Sequence, residues 1–159
     1  MPQGIETTLN VASRKFSLSG MSTEIVTQTT EYNYTVTTSG SCDPSILSGK
    51  ITIVPNATVT VTSVSSTLDQ TICDNTDFDT VTFEVDGSFT DISFQIDPAL
   101  PGFTPVFDIN TGIGSLSGKP NTGIVSTTTY SYTISVIGDA NSCETGSFTG
   151  ELTLLQLAS

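Results

Sequence analysis

Three cysteines and five carboxylates are the side chains of this sequence best able to do chemistry. Cys42, Cys73 and Cys143 are its only thiols, and the chain has no His and no Trp. Without His, a thiol lacks its usual activating base, and the common proton shuttle near neutral pH is missing. The three cysteines therefore point to disulfide bonding, or to buried thiols, rather than to a nucleophile. Asp74, Asp77 and Asp79 follow Cys73, while Asp139 and Glu144 bracket Cys143. Carboxylates converging with loop carbonyls are what a hard cation such as calcium requires. No Asp-x-Asp-x-Asp-Gly loop is present, and a solvated acidic loop face is the alternative. A carboxylate pair could also hydrolyse glycosides. Here, however, the acidic residues fall mostly in predicted turns and there is no Trp to form a sugar platform, so the expectation is a protein that is not an enzyme.

Sixteen acidic residues against four basic ones give the 159-residue chain a formal charge of −12. Such a surface repels a phosphate backbone and offers no basic stripe to displace its counterions, which argues against nucleic acid. The same charge disfavours anionic membrane surfaces. No apolar run approaches the ~20 residues needed to cross a bilayer as a helix. Residues 1–20 also lack the continuous apolar stretch of a secretory signal, so an exported protein would carry its signal outside this chain.

The elements that must position these residues are repeated. Phe16-Ser17-Leu18-Ser19-Gly20 and Gly114-Ser115-Leu116-Ser117-Gly118 align at an offset of 98. Held without gaps, that offset sets Tyr32 on Tyr130, Tyr34 on Tyr132 and Val36 on Ile134. Beyond Ser39 the offset becomes 101, bringing Cys42 onto Cys143 and the stretch from Gly49 to Ile53 onto Gly150 to Leu154. The slip falls at Gly138-Asp139-Ala140-Asn141, as expected of a surface loop. Matched aromatic, Cys and Gly positions mark true duplication. The phase divides the chain into residues 1–55 (the C-terminal half of one repeat), 56–155 (a complete repeat) and 156–159 (a linker or the start of the next).

Inside the complete repeat the apolar period is two. Val81, Phe83 and Val85 share a face, as do Ile92, Phe94 and Ile96, then Tyr130, Tyr132, Ile134 and Val136, and finally Phe148, Leu152 and Leu154. Such alternation marks strands with one dry and one wet face, hence antiparallel sheets. Turn signals such as Asp86-Gly87 and Asn110-Thr111-Gly112 separate them. The expected fold is all-β, an immunoglobulin-like antiparallel β-sandwich in tandem repeats. A short Pro-containing junction, Val54-Pro55-Asn56, predicts a stiff connection between repeats.

The stretch Leu100-Pro101-Gly102-Phe103, then Asn110-Thr111-Gly112-Ile113-Gly114-Ser115-Leu116-Ser117-Gly118-Lys119-Pro120, then Tyr130-Ser131-Tyr132-Thr133-Ile134 resembles a family pattern. It is similar to the immunoglobulin-like and PKD-like repeats of very large bacterial surface proteins. With Thr71-Ile72-Cys73, Ser142-Cys143 and the closing Gly-x-Leu-Thr-Leu strand, it most resembles the arrays of Bacteroidetes-type adhesins, including gliding-motility adhesins. Lys119-Pro120 stands where that pattern has Thr-Pro, and the first copy carries Met21-Ser22 there.

Within the complete repeat, Cys73 and Cys143 are the expected disulfide, with a chain-entropy contribution of roughly 4 kcal/mol and an oxidising setting implied. Cys42 is the equivalent of Cys143 and has its expected partner outside the chain. Such a bridge would draw Asp74, Asp77 and Asp79 towards Asp139 and Glu144, the calcium-site expectation. The resemblance also implies possible O-glycosylation at Thr80, within Asp79-Thr80-Val81. It implies a structural spacer in a cell-surface adhesin or filament, extracellular, whose partners are neighbouring repeats or other copies in a filament. The alternatives are a glycan- or ligand-binding module, and a subunit of an extracellular or phage fibre in which residues 1–55 are completed by strand donation.

Overall fold

Period-two alternation becomes strands whose buried residues lie on one face. The computed structural model describes residues 1–40, 43–139 and 145–156. The chain divides into two compact units, Met1–Pro55 and Asn56–Ser159. The first contains β1 (Ile5–Asn10), β2 (Lys15–Gly20), β3 (Thr30–Thr37) and β4 (Ile46–Ile53). The second contains β5 (Thr58–Val61), a 3-10 turn (Ser65–Thr67), β6 (Asp69–Cys73), β7 (Phe78–Asp86), β8 (Phe89–Asp97), β9 (Phe103–Asp108), β10 (Ile113–Gly118), β11 (Thr128–Gly138) and β12 (Ser147–Leu155).

The second unit has two four-stranded sheets, ordered β5-β7-β10-β9 and β6-β12-β11-β8. This is the strand order of an immunoglobulin-like sandwich: the first, second, fifth and fourth strands in one sheet, the third, sixth and seventh in the other. Here β5 and β6 share the role of first strand, one in each sheet. Pairing is antiparallel except that β6 runs parallel to β12, from Asp69 beside Glu151 to Cys73 beside Leu155. The predicted all-β, immunoglobulin-like fold is what forms.

Val81, Phe83 and Val85 from one sheet meet Tyr132, Ile134, Leu152 and Leu154 from the other in a single core. Ring contacts close the gap between sheets. Phe83 lies 5.5 Å from Phe148, and Phe78 stands edge-on to Tyr132 at 5.9 Å, centroid to centroid. Complete burial of each such side chain stabilises by about 1.5–3 kcal/mol.

Tyr132 occupies the centre of this packing and is fully buried. Its ring crosses Gly150, its cross-strand partner in β12. The hydroxyl then donates to the Leu68 carbonyl at 2.8 Å, just ahead of β6. Burial, assisted by the charge of Asp69, pushes its phenol above the ordinary value. A methyl group on Gly150 would lie 2.3 Å from the Tyr132 hydroxyl oxygen and 2.4 Å from the Leu68 carbonyl oxygen. Only glycine leaves room for the ring.

The duplication extends to hydrogen-bonding register. The β1–β2 pairing runs from Ile5 opposite Gly20 to Asn10 opposite Lys15, and the β9–β10 pairing matches it at the offset of 98, with Phe103 opposite Gly118. The β3–β4 pairing, Thr30 opposite Ile53 and Tyr34 opposite Gly49, matches Thr128 opposite Leu154 and Tyr132 opposite Gly150. Even the hairpin turn agrees. Gly112 has a φ of 70°, and Arg14, in the same place of the first unit, is forced to 52°. The left-handed region suits glycine and is uncommon for other residues.

We expect Gly150→Ala to destabilise the second unit by ~1–3 kcal/mol through overpacking, measured by urea unfolding. Adding Tyr132→Phe should recover part of that loss, because the two changes share one contact. Strict additivity of the two would disprove the direct clash.

Candidate functional site

Cys73 ends β6 at the Leu155 end of β12. It is exposed and carries a free thiol. Cys42, Cys143 and Glu144 lie outside the described residues. The described neighbours of Cys143 are at the other end of the sheet: Ser147 begins β12 opposite Ser135, and Thr145 bridges to Ala57. Eight residues of β12 separate the two ends, roughly 26 Å at the rise of an extended strand. The expected Cys73–Cys143 cross-tie is thus not part of this arrangement. The physical reason is the direction of β6. Parallel pairing carries Cys73 to the end where the chain leaves the sandwich, whereas Thr145, bridged to Ala57, lies at the end where the chain enters it.

The same geometry separates the acidic residues expected to converge. Asp74 follows Cys73 and is buried. Its carboxylate accepts the Gly123 amide at 2.7 Å and the Thr122 amide at 3.1 Å. Its own amide donates to the Leu155 carbonyl at 3.1 Å, and the next amide, of Asn75, donates to the Pro120 carbonyl at 2.8 Å. Asp74 therefore pins the Pro120–Gly123 loop to the end of β6. The Thr122 amide, ahead of the Gly123 amide, holds this carboxyl below its ordinary value despite burial.

Asp77 faces Lys119 at 3.9 Å with both side chains largely in water, a weak pair. Asp79 lies in β7 with an exposed side chain. Its backbone, not its carboxylate, is engaged: the buried Gln70 side chain accepts the Asp79 amide and donates to the Asp79 carbonyl, both at 2.8 Å. Thr80, the residue of the glycosylation expectation, is exposed on the same strand. Asp139 follows β11 at the opposite end, where it accepts the Ser88 hydroxyl at 2.5 Å.

Ten residues of β11 lie between the two groups, roughly 30 Å. Asp74, Asp77 and Asp79 do not approach Asp139, and the calcium-site expectation fails on that separation. Among the described residues no three His, Cys, Asp or Glu side chains converge. What the acidic residues do is order turns. Asp108 accepts the Asn110 amide at 2.9 Å and is likewise held below its ordinary value. Asn10, its equivalent, accepts the Ser13 amide at 2.9 Å.

Reading the sequence missed Gln70 and the role of Asp74, both buried polar residues whose partners come from distant segments. A signal for Tyr132 did exist. Tyr34 and Gly49 repeat the pair Tyr132 and Gly150, and paired retention of a large ring and a glycine implies that one sits on the other.

No family model matches the chain, and no curated protein matches it in sequence. Two solved chains match it. One, "Zebrafish RET Cadherin Like Domains 1 to 4", gives a TM-score of 0.41 and 7% identity, covering 96% of this chain. This chain spans only 39% of that neighbour's length. So distant a likeness adds nothing to the fold assignment, which rests on the strand order itself.

Two outcomes follow from this site. Asp74→Asn should lower stability at neutral pH, because a carboxyl with a depressed folded value stabilises above its unfolded value of about 3.9. The stability gap to the parent protein should hold from pH 7 to about 5 and close as pH falls below about 4, through the depressed value, in urea titrations. A gap independent of pH would mean that the charge is not involved. Alkylation of the native, unreduced protein should modify Cys73, read by peptide mass; a protected Cys73 would restore a disulfide.

Proposed function

We propose that this chain is a structural, non-catalytic segment of an extracellular surface adhesin or filament. In this reading it bears load and holds a distal binding region away from the cell, with neighbouring repeats as its immediate partners. The observation that carries the reading is the parallel ladder between β6 and β12, from Asp69 beside Glu151 to Cys73 beside Leu155. These strands lie near the entry and exit of the second unit. When its ends are drawn apart, parallel neighbours are pulled in opposite directions along their own axes. Every hydrogen bond of the ladder is then loaded together, whereas a strand peeled from one end loses its bonds singly.

Flanking contacts reinforce the ladder. The Glu151 amide donates to the Leu68 carbonyl at 3.2 Å and to the Asp69 carboxylate at 3.0 Å, and the Asp74 amide donates to the Leu155 carbonyl. Matched registers in the two units support a repeating design, since arrays multiply mechanical elements. A formal charge of −12 suits an elongated protein that must stay soluble and unassociated along its length.

Stretched between attachment points at Asn56 and Gln156 in a single-molecule instrument, the second unit should unfold in one step. Ile72→Pro, which removes an amide from β6 opposite Leu154, should lower the rupture force clearly while leaving the fold recognisable by circular dichroism. An unchanged rupture force would remove the shear ladder, and with it the main support for a load-bearing role.

A further inference from the structure

The cations of this acidic chain are unevenly placed. Residues 56–159 contain only Lys119, whereas residues 1–55 contain Arg14, Lys15 and Lys50. Lys119 faces Asp77, and Lys50 pairs with Glu31. Among the described residues Arg14 and Lys15 form no ion pair. They sit side by side at the tip of the β1–β2 hairpin, both exposed, with Arg14 in the left-handed region and Lys15 opening β2 opposite Asn10.

The hairpin that carries them is weakly held. In its two strands only Ile5 and Leu18 are partly buried, and the rest is exposed. A two-stranded ribbon covering so little surface opens at low cost. The left-handed backbone of Arg14 adds strain that opening relieves. Lys50 is better protected, in a longer hairpin where Tyr32, Tyr34, Val36, Ile51 and Ile53 are partly buried. The Lys119 amide donates to the Gly102 carbonyl at 2.9 Å, and the next residue is the fully buried Pro120. Proline has no amide and a fixed φ, so the Lys119–Pro120 bond suits poorly a protease that binds its substrate as an extended, hydrogen-bonded strand.

We propose that the Arg14–Lys15 tip is a processing site, the point at which an endoprotease with an acidic specificity pocket cuts the native chain. Such a pocket takes in one cationic side chain. Here two adjacent cations without acidic partners project from a loop tip, where nicking concentrates. The step is a hydrolysis. Water adds across the amide that joins Arg14 to Lys15, or Lys15 to Phe16, leaving a carboxylate on one side and an ammonium on the other. The protease supplies the nucleophile and the proton relay. Cutting there unties β1 from β2. The compact unit Asn56–Ser159 offers such an enzyme no bond except the one ahead of Pro120. The site is the same whether or not the chain bears load.

Trypsin is the probe, added to the full chain under native conditions while peptide masses are followed over time. The first products should be residues 1–14 or 1–15 and the matching remainder. They should lead the cut after Lys50 by about a hundredfold, because cleavage tracks the population of locally opened chain. Residues 56–159 should stay uncut. In urea strong enough to unfold the chain, the lead over Lys50 should shrink to about tenfold or less, since the fold no longer separates the two sites. Arg14→Gln combined with Lys15→Gln should remove the early products and leave the Lys50 cut at its own rate. A native chain cut as early after Lys50 or Lys119 as at the hairpin would overturn the proposal. So would a hairpin that resists protease levels able to cut it in urea. A lead that persists undiminished in urea would also overturn it, because the preference would then belong to the local sequence and not to the hairpin.

Discussion

The seating of Tyr132 across Gly150 is the contact on which the rest of the sandwich depends. It fixes the β11–β12 register, because a shift of one residue would turn the ring outward and place a side chain beneath it. It also brings the hydroxyl to the Leu68 carbonyl, which positions the chain to enter β6 alongside β12. From that alignment follow the parallel ladder, the placement of Cys73 beside Leu155 and the lodging of Asp74 against Thr122 and Gly123. The Tyr132 hydroxyl thereby couples the central pair of one sheet to the edge strand that closes it. Left without a partner, that hydroxyl would carry a desolvation penalty, so the contact is specified strongly.

The chain's acidity has two parts. Some carboxylates are built into turns: Asp74 staples one loop to another, Asp108 caps the β9–β10 hairpin, and Asp139 takes the Ser88 hydroxyl. Others, such as Asp77 and Asp79, project their carboxylates into water. Neither group is arranged as a ligand cage. Distribution over both ends of a sandwich is what solubility and turn geometry ask for, whereas a cation site would require them gathered at one.

Much of the fold was legible without coordinates because its signals are local. Alternation at Val81, Phe83 and Val85 and at Tyr130, Tyr132 and Ile134 marked buried faces correctly, since an extended chain sends successive side chains to opposite sides. Asn110-Thr111-Gly112 announced its hairpin through the need for a left-handed residue. The site was less legible. Membership of one repeat does not set the distance between two cysteines, and Cys73 is a free thiol at the Leu155 end of β12. Asp74 looked like one of a run of surface acids, and its burial is decided by a loop almost fifty residues away.

The amino-acid sequence by itself determined the strand class, the wet and dry faces and the internal repeat. Each of these depends on spacing along the chain and on turns a few residues long. Only the tertiary structure decided that β6 runs parallel to β12, which end of the sandwich holds Cys73, Asp74 and Asp139, and that the Leu68 carbonyl accepts the Tyr132 hydroxyl. Those are relations between segments distant in sequence, set by how two apolar sheet faces cover one another, and no local spacing encodes the direction in which a distant strand is laid down.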